Sequence, residues 1–258
     1  MITSTQNAKL KLARNLMGRP KERHAAQAFV AEGVRLVEEA ISAGWPVRFV
    51  LHSPGISARG LELVKKCEEL GGEVEQVSEV LLNSVSETET SQGLLAVLDY
   101  SPLALPQPLN FVLIADSIRD PGNLGTLLRT AAAAGVQAVF LTPETTDAFA
   151  PKVLRAGMGA HFRLPIHSLS WEEIRGATEA IKVYLADMHG SPCWQTDFRS
   201  ALALIVGGEA EGATQEARNM ANEAVCIPMP GKAESLNAGV AGAILMFEVI
   251  RQRKFGIR

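Results

Sequence analysis

Hydrophobic and polar positions alternate along the chain in two rhythms, short apolar runs and helical stripes. Residues 7–17 carry a helical pattern, and an alternating run begins at 29–31. Val34, Val37, Ala40 and Ile41 then recur at helical spacing within 32–43, and Gly44 closes that helix. Residues 47–51 read as a strand. Leu61, Val64, Cys67 and Leu70 form a second stripe, ended by Gly71 and Gly72. A short strand over 74–77, a short helix from Ser78 to Leu82 and a strand over 93–100 follow. The Pro-rich segment 101–108 breaks the pattern and reads as a domain boundary.

Beyond it the alternation is stricter. Strands are predicted at 111–115, 136–141, 162–166, 183–186, 202–206 and 224–227. Helices are predicted at 122–134, 151–155, 171–180 and 214–221, with a closing helix from 238 to about 254. This order predicts an α/β fold with a mostly parallel sheet covered on both faces. Ligands in such sheets bind beyond the C-terminal strand ends. The expected organisation is a small α/β domain over 1–100, a linker over 101–109 and a second domain over 110–258.

Composition changes this picture little. The 258 residues are 47% hydrophobic and 21% charged, as in ordinary globular proteins. No apolar run reaches the roughly 18 residues of a membrane span. The polar first eleven residues do not resemble a secretory signal. Cys67, Cys193 and Cys226 are odd in number and lack CxxC spacing, so reduced thiols and a cytoplasmic location are expected, with no membrane partner. The histidines show no ligand spacing, so no metal is expected.

Net charge is −3, yet basic residues gather locally. Lys9, Lys11, Arg14, Arg19, Lys21 and Arg23 precede His24 against only Glu22, and Arg251, Arg253, Lys254 and Arg258 close the chain. Such patches suit either phosphate binding or a solvated helix face.

Candidate chemistry lies in three polar loops, each at a predicted strand end. The first is Asp116-Ser117-Ile118-Arg119-Asp120-Pro121-Gly122-Asn123-Leu124-Gly125, running into Arg129, which lies off the apolar stripe of Leu124, Leu127, Leu128 and Ala131. It is neither GxGxxG nor a Walker loop, which disfavours a nicotinamide dehydrogenase. The second is Gly207-Gly208-Glu209-Ala210-Glu211-Gly212, whose glycines permit close backbone approach. The third, Ile227-Pro228-Met229-Pro230-Gly231 through Ser235-Leu236-Asn237, ends a strand and caps a helix. No Gly-x-Ser-x-Gly elbow accompanies them.

In order and interval these loops resemble the three motifs of the SpoU/TrmH family, within the SPOUT superfamily of RNA methyltransferases. The resemblance spans about 110–253. Residues 29–33, followed by a helix, are similar to the start of the ribosomal-protein-like substrate-binding domain that many such enzymes carry. The resemblance implies methyl transfer from S-adenosylmethionine to a ribose 2′-hydroxyl of structured RNA, with 23S ribosomal RNA favoured over transfer RNA. A non-catalytic RNA-binding protein on the same scaffold is the competing class. It further implies a trefoil knot and a homodimer through the C-terminal domain. Carried over by position, Asn123, Arg129, Glu209, Ser235 and Asn237 form the catalytic set. Gly207, Gly208, Gly212, Ile227, Met229 and Leu236 form the cofactor pocket. Gly208, Ala210 and Ala213 depart from the family's usual residues.

Overall fold

The computed structural model describes residues 1–88, 91–208, 212–231 and 235–256. The chain opens with α1 (Ala8–Gly18), capped by the Asn7 side chain, and α2 (Pro20–Ala26). There follow β1 (Ala28–Glu32), α3 (Val34–Ser42), β2 (Val47–His52), α4 (Ala58–Glu69), β3 (Glu73–Gln76), α5 (Glu79–Asn83) and β4 (Leu94–Asp99). The sequence pattern did not anticipate α2. Its anchor is Arg23, a buried arginine that donates to the carbonyls of Leu16 (2.6 Å) and Met17 (3.3 Å), which hydrophobic periodicity does not register.

These elements form a four-stranded sheet in the order β1-β4-β2-β3, with only β2 and β3 parallel. All five residues of β1 are buried, so both faces of that strand are covered. Ala28 and Val30 join the core under α1 with Leu10, Leu16, Phe49 and Leu82. Phe29 packs instead into an aromatic cluster with Trp45, Phe149 and Phe162.

After the linker come β5 (Phe111–Asp116), α6 (Pro121–Ala133), β6 (Ala138–Leu141), α7 (Pro151–Gly157), β7 (Ile166–Ser168) and α8 (Trp171–Ala177). The chain ends with β8 (Lys182–Pro192), β9 (Leu202–Gly207), α9 (Gln215–Met220), β10 (Glu223–Cys226) and α10 (Ala238–Phe255). The six strands are parallel and ordered β10-β8-β9-β5-β6-β7. One face is packed by Val112, Ile114, Phe140 and Ile205 against Ile174 of α8 and Ala217 and Met220 of α9. On the other, α10 lies against α6 and β9.

The predicted strand over 162–166 is not one strand. Residues 160–162 form a 3-10 turn, and pairing begins only at Ile166. Phe162 is apolar because it belongs to the aromatic cluster, so its burial mimics strand periodicity.

Two compact units result: Met1–Ser101 with Phe149–Phe162, and Pro102–Ala148 with Arg163–Arg258. Residues 149–162, assigned from sequence to the second domain, therefore pack with the first unit. The Trp45 indole donates to the Phe162 carbonyl at 3.1 Å, and Phe149 lies 4.7 Å from Phe29 between ring centroids.

Candidate active site

The second unit gathers its loops at the C-terminal ends of its strands. At the end of β9 the chain turns through the glycines of the second loop. Gly208 and Gly212 form an isolated antiparallel bridge, and Gly212 has φ +67°, which favours glycine. A Cβ on Gly207 would lie 2.7 Å from the Ala213 nitrogen, and one on Gly208 would lie 2.7 Å from the Ser117 carbonyl. Neither position has room for a side chain without backbone movement. Glu209 lies outside the described residues.

The turn is held by Asp116, a fully buried carboxyl at the end of β5. It accepts from the Thr214 backbone N–H at 2.7 Å and from the Thr214 hydroxyl at 3.2 Å. Thr142 and Ser117 hydroxyls donate to it at 3.3 Å. Thr214 also caps α9, its side chain accepting from the Ala217 N–H. One carboxyl therefore ties the ends of β5 and β6 to the start of α9, just beyond the second loop.

The third loop forms the facing wall. β10 stops at Cys226, where Pro228 and Pro230 cannot extend the ladder. Ile227, Met229, Ser235, Leu236 and Asn237 then line a cleft of about 500 Å³ opposite Gly207, Gly208 and Gly212. Val206, Val225, Ala241 and Leu245 complete its apolar lining. Asn237 caps α10, its Oδ1 accepting from the Val240 N–H at 3.2 Å.

The first loop reaches this wall through a side chain. Asp120 caps α6 by accepting from the Asn123 N–H at 2.8 Å. Asn123 Oδ1 in turn accepts from Asn237 Nδ2 at 2.8 Å, joining loops 114 positions apart. Arg129 is exposed on α6 and is not part of the cleft lining. Among the described residues it makes no ion pair.

One wall was not legible in the pattern. The predicted strand over 183–186 is the first part of the longer β8. Its pairing with β10 jumps from Leu185↔Ala224 to Ser191↔Val225, so residues 186–190 loop out of register. A Cβ on Gly190 would lie 2.4 Å from the Val225 nitrogen, so this crossing requires glycine. Asp187, Met188 and His189 thereby enter the cleft lining, together with Arg218 of α9. Asp187 pairs with Arg218 and accepts from the His189 N–H at 3.0 Å. The His189 N–H, reinforced by the Arg218 guanidinium, holds the Asp187 carboxyl below its ordinary pKa. The run Asp187-Met188-His189-Gly190 after an apolar strand follows the same pattern as the other loops and could have revealed this wall.

The basic patches resolve differently from their sequence reading. Arg253 is spent internally, donating to Phe198, Asn110 and Ser200 and lying over the Phe111 ring. Arg251 pairs with the buried Glu248, and Lys9 pairs with Glu73 and Glu75. With Arg23 buried, several of these cations serve the fold. Lys11, Arg19 and Lys21 are exposed.

The cleft lies within the roughly 300–1,000 Å³ typical of small-molecule sites. Its apolar lining suits a flat ring system, and its ion pair suits a charged tail. Among the described residues no group of three or more His, Cys, Asp or Glu is placed to hold a metal ion.

Comparison with known proteins matches residues 110–247 to the SpoU rRNA methylase family and residues 7–96 to the MRM3-like substrate-binding domain. A Bacillus subtilis 23S rRNA (guanosine(2553)-2′-O)-methyltransferase, RlmP, is 36% identical over 96% of this chain and 98% of its own. A Streptomyces viridochromogenes 23S rRNA (uridine(2479)-2′-O)-methyltransferase is 30% identical over 99% of this chain and 93% of its own. The crystal structure of the SpoU methyltransferase AviRb from the same organism, in complex with AdoMet, superposes with a TM-score of 0.88. It covers 98% of this chain and 100% of AviRb at 28% identity.

Proposed function

Since the chain belongs to the SpoU rRNA methylase family, we propose that it methylates a ribose 2′-hydroxyl of 23S ribosomal RNA using S-adenosylmethionine. The observation that carries this reading is the joining of three loops. The second and third enclose a cleft of suitable size, and the Asn123–Asn237 hydrogen bond fastens the first to it.

In this reading Gly207, Gly208, Ile227, Met229 and Leu236 would hold the adenosine. When bound, the cofactor supplies an electrophilic methyl group. The residues of the chain do the rest. Asn237 and Asn123 hold the loops in register, and Ser235 lines the same wall with its hydroxyl. Glu209 is assigned to the same supporting set by its motif position. Arg129 carries an exposed guanidinium on α6, suited to a substrate phosphate. Arginine is a poor base at its ordinary pKa. Its role is therefore to fix the phosphate and favour the developing oxyanion, while the 2′-hydroxyl proton leaves by way of a phosphate oxygen of the RNA to solvent water. Proximity and alignment can supply a large part of the acceleration for such a transfer.

The first unit, matched to a substrate-binding domain, takes the RNA role in this scheme. Residues 1–100, 101–109 and 110–258 serve as substrate domain, linker and methyltransferase domain, with 149–162 lending its packing to the first. A homodimer is part of the same proposal. Val240 and Phe247 on α10 are 45% and 50% exposed, with Ile244 half-buried between them, an apolar stripe suited to a second copy. The family's trefoil knot is also inferred; in its support, the chain leaves β10 at the sheet edge and returns to lay α10 on central β9. No helix among the described residues is long and apolar enough to cross a membrane, and a cytoplasmic location accords with a ribosomal substrate.

Calorimetric titration of the full chain with S-adenosylhomocysteine tests the cofactor assignment. Saturable binding at one site per chain is expected. Its absence, with S-adenosylmethionine equally inert, overturns the reading.

A further inference from the structure

The ion pair in the cleft is not explained by the three loops. Asp187 and Arg218 come from the out-of-register loop of β8 and from α9, elements that no motif covers. Asp187 is nearly buried, at 10% side-chain exposure, whereas Arg218 is 45% exposed. The carboxyl is held on its far side by the His189 N–H. It engages one terminal nitrogen of Arg218, Nη1. The rest of the guanidinium has no hydrogen-bond partner among the described residues. Its Nη2 stands 3.8 Å from the position a Gly212 Cβ would take, so it lies beside Gly212.

This arrangement matters because the proposed cofactor has two unlike ends. Adenine is flat and neutral, and the apolar lining of Val206, Val225, Ile227 and Leu245 accepts it without unpaired charge. The amino-acid end is a zwitterion, and burying an unpaired charge among those side chains carries a large penalty. Among the described lining residues, charge is already paired and solvent still reaches at the Asp187–Arg218 pair.

We propose that Arg218 is the specificity-determining anchor for the amino-acid end of the cofactor, receiving its carboxylate on the guanidinium edge that Asp187 leaves open. Asp187 acts as a positioning residue, fixing the fork by pairing with Nη1. The remaining donors of the fork match a carboxylate geometry. The proposal rests on the cofactor reading above.

The test compares two nucleosides on the full chain by calorimetry. S-adenosylhomocysteine carries the amino-acid end, and 5′-methylthioadenosine keeps the adenosine and sulfur but lacks it. Arg218→Gln is expected to weaken S-adenosylhomocysteine binding about tenfold or more, the worth of a charge-assisted hydrogen bond. It should leave 5′-methylthioadenosine affinity unchanged within about twofold. Asp187→Asn should move affinity in the same direction by a smaller factor, again only for the ligand with the tail. Equal losses for both nucleosides would place the pair in adenosine binding or in the fold and overturn the proposal. Unchanged affinity for both would overturn it as well. Retained 5′-methylthioadenosine binding shows that the variant is folded. If the unsubstituted protein binds neither nucleoside, the cofactor reading itself fails and takes this inference with it.

Discussion

At the scale of single residues, Arg129 and Asn237 illustrate two ways a sequence position becomes a site. Asn237 is bound into the structure twice, capping α10 through Oδ1 and donating to Asn123 through Nδ2. Arg129 is left exposed on α6, away from the cleft lining. Its proposed task requires substrate, so its loss should not disturb the cofactor cleft. Arg129→Ala is expected to lower the methyl-transfer rate constant at least about a hundredfold, as removal of an oxyanion-stabilising donor does. The dissociation constant for S-adenosylhomocysteine should stay within about twofold. Single-turnover kinetics with calorimetry on the same preparation check this, and a variant transferring at the original rate removes Arg129 from the mechanism. Motif order singles out these residues as candidates, whereas the Asn123–Asn237 hydrogen bond joins positions 114 apart and leaves no local signal. Asp116 opens the first loop in the sequence, yet its structural role is not legible there. Besides the adjacent Ser117, its partners Thr142 and Thr214 lie 26 and 98 positions away, and contacts at that range leave no local pattern.

Among the elements, α10 carries the heaviest demands. It is apolar on more than one side because one side packs on α6 and β9 while another presents Val240 and Phe247. Close approach to α6 depends on glycine. A Cβ at Gly242 would fall 2.3 Å from Leu127 Cδ2, and one at Gly239 would fall 3.1 Å from Thr126 Cγ2. Gly242→Ala is therefore expected to destabilise the chain by about 1–3 kcal/mol, the range for overpacking. Adding Leu127→Ala should make the double variant less destabilised than the summed single effects. Additive losses in denaturant unfolding would show that the clash is not the cause. On the opposite side, the unsubstituted chain is expected to sediment as a dimer at equilibrium and Phe247→Asp as a monomer. A monomeric unsubstituted chain would refute the proposed dimer. Periodicity found α10 and most strands, since long amphipathic or wholly apolar runs encode burial directly. It failed for residues 162–166, where aromatic packing imitates strand alternation, and for β8, whose looped-out residues follow from a crossing at Gly190.

For the molecule as a whole, the parallel sheet was legible because alternating apolar runs and helices admit few other architectures. The membership of 149–162 was not. Nothing local in that segment says that Phe149 and Phe162 pack on Phe29 and Trp45 of a unit ending near residue 101. A fragment of residues 1–101 uncovers those rings, and each large apolar side chain exposed forfeits about 1.5–3 kcal/mol. The fragment is expected to melt at lower temperature and with less cooperativity than the first unit within the full chain. Equal melting, followed by near-ultraviolet circular dichroism of the aromatic cluster, would show that 149–162 is dispensable for it. The RNA role proposed for this unit is accordingly best tested in the full chain.

The central claim is methyl transfer to a 2′-hydroxyl of 23S ribosomal RNA, and mapping 2′-O-methylation on that RNA tests it most directly. Unmodified 23S RNA is incubated with S-adenosylmethionine and either the unsubstituted chain or Arg129→Ala, then read nucleotide by nucleotide. One new 2′-O-methyl mark is expected, present with the unsubstituted chain and lost with Arg129→Ala. A mark on a base instead of a ribose, or no mark on any RNA despite bound cofactor, would contradict it.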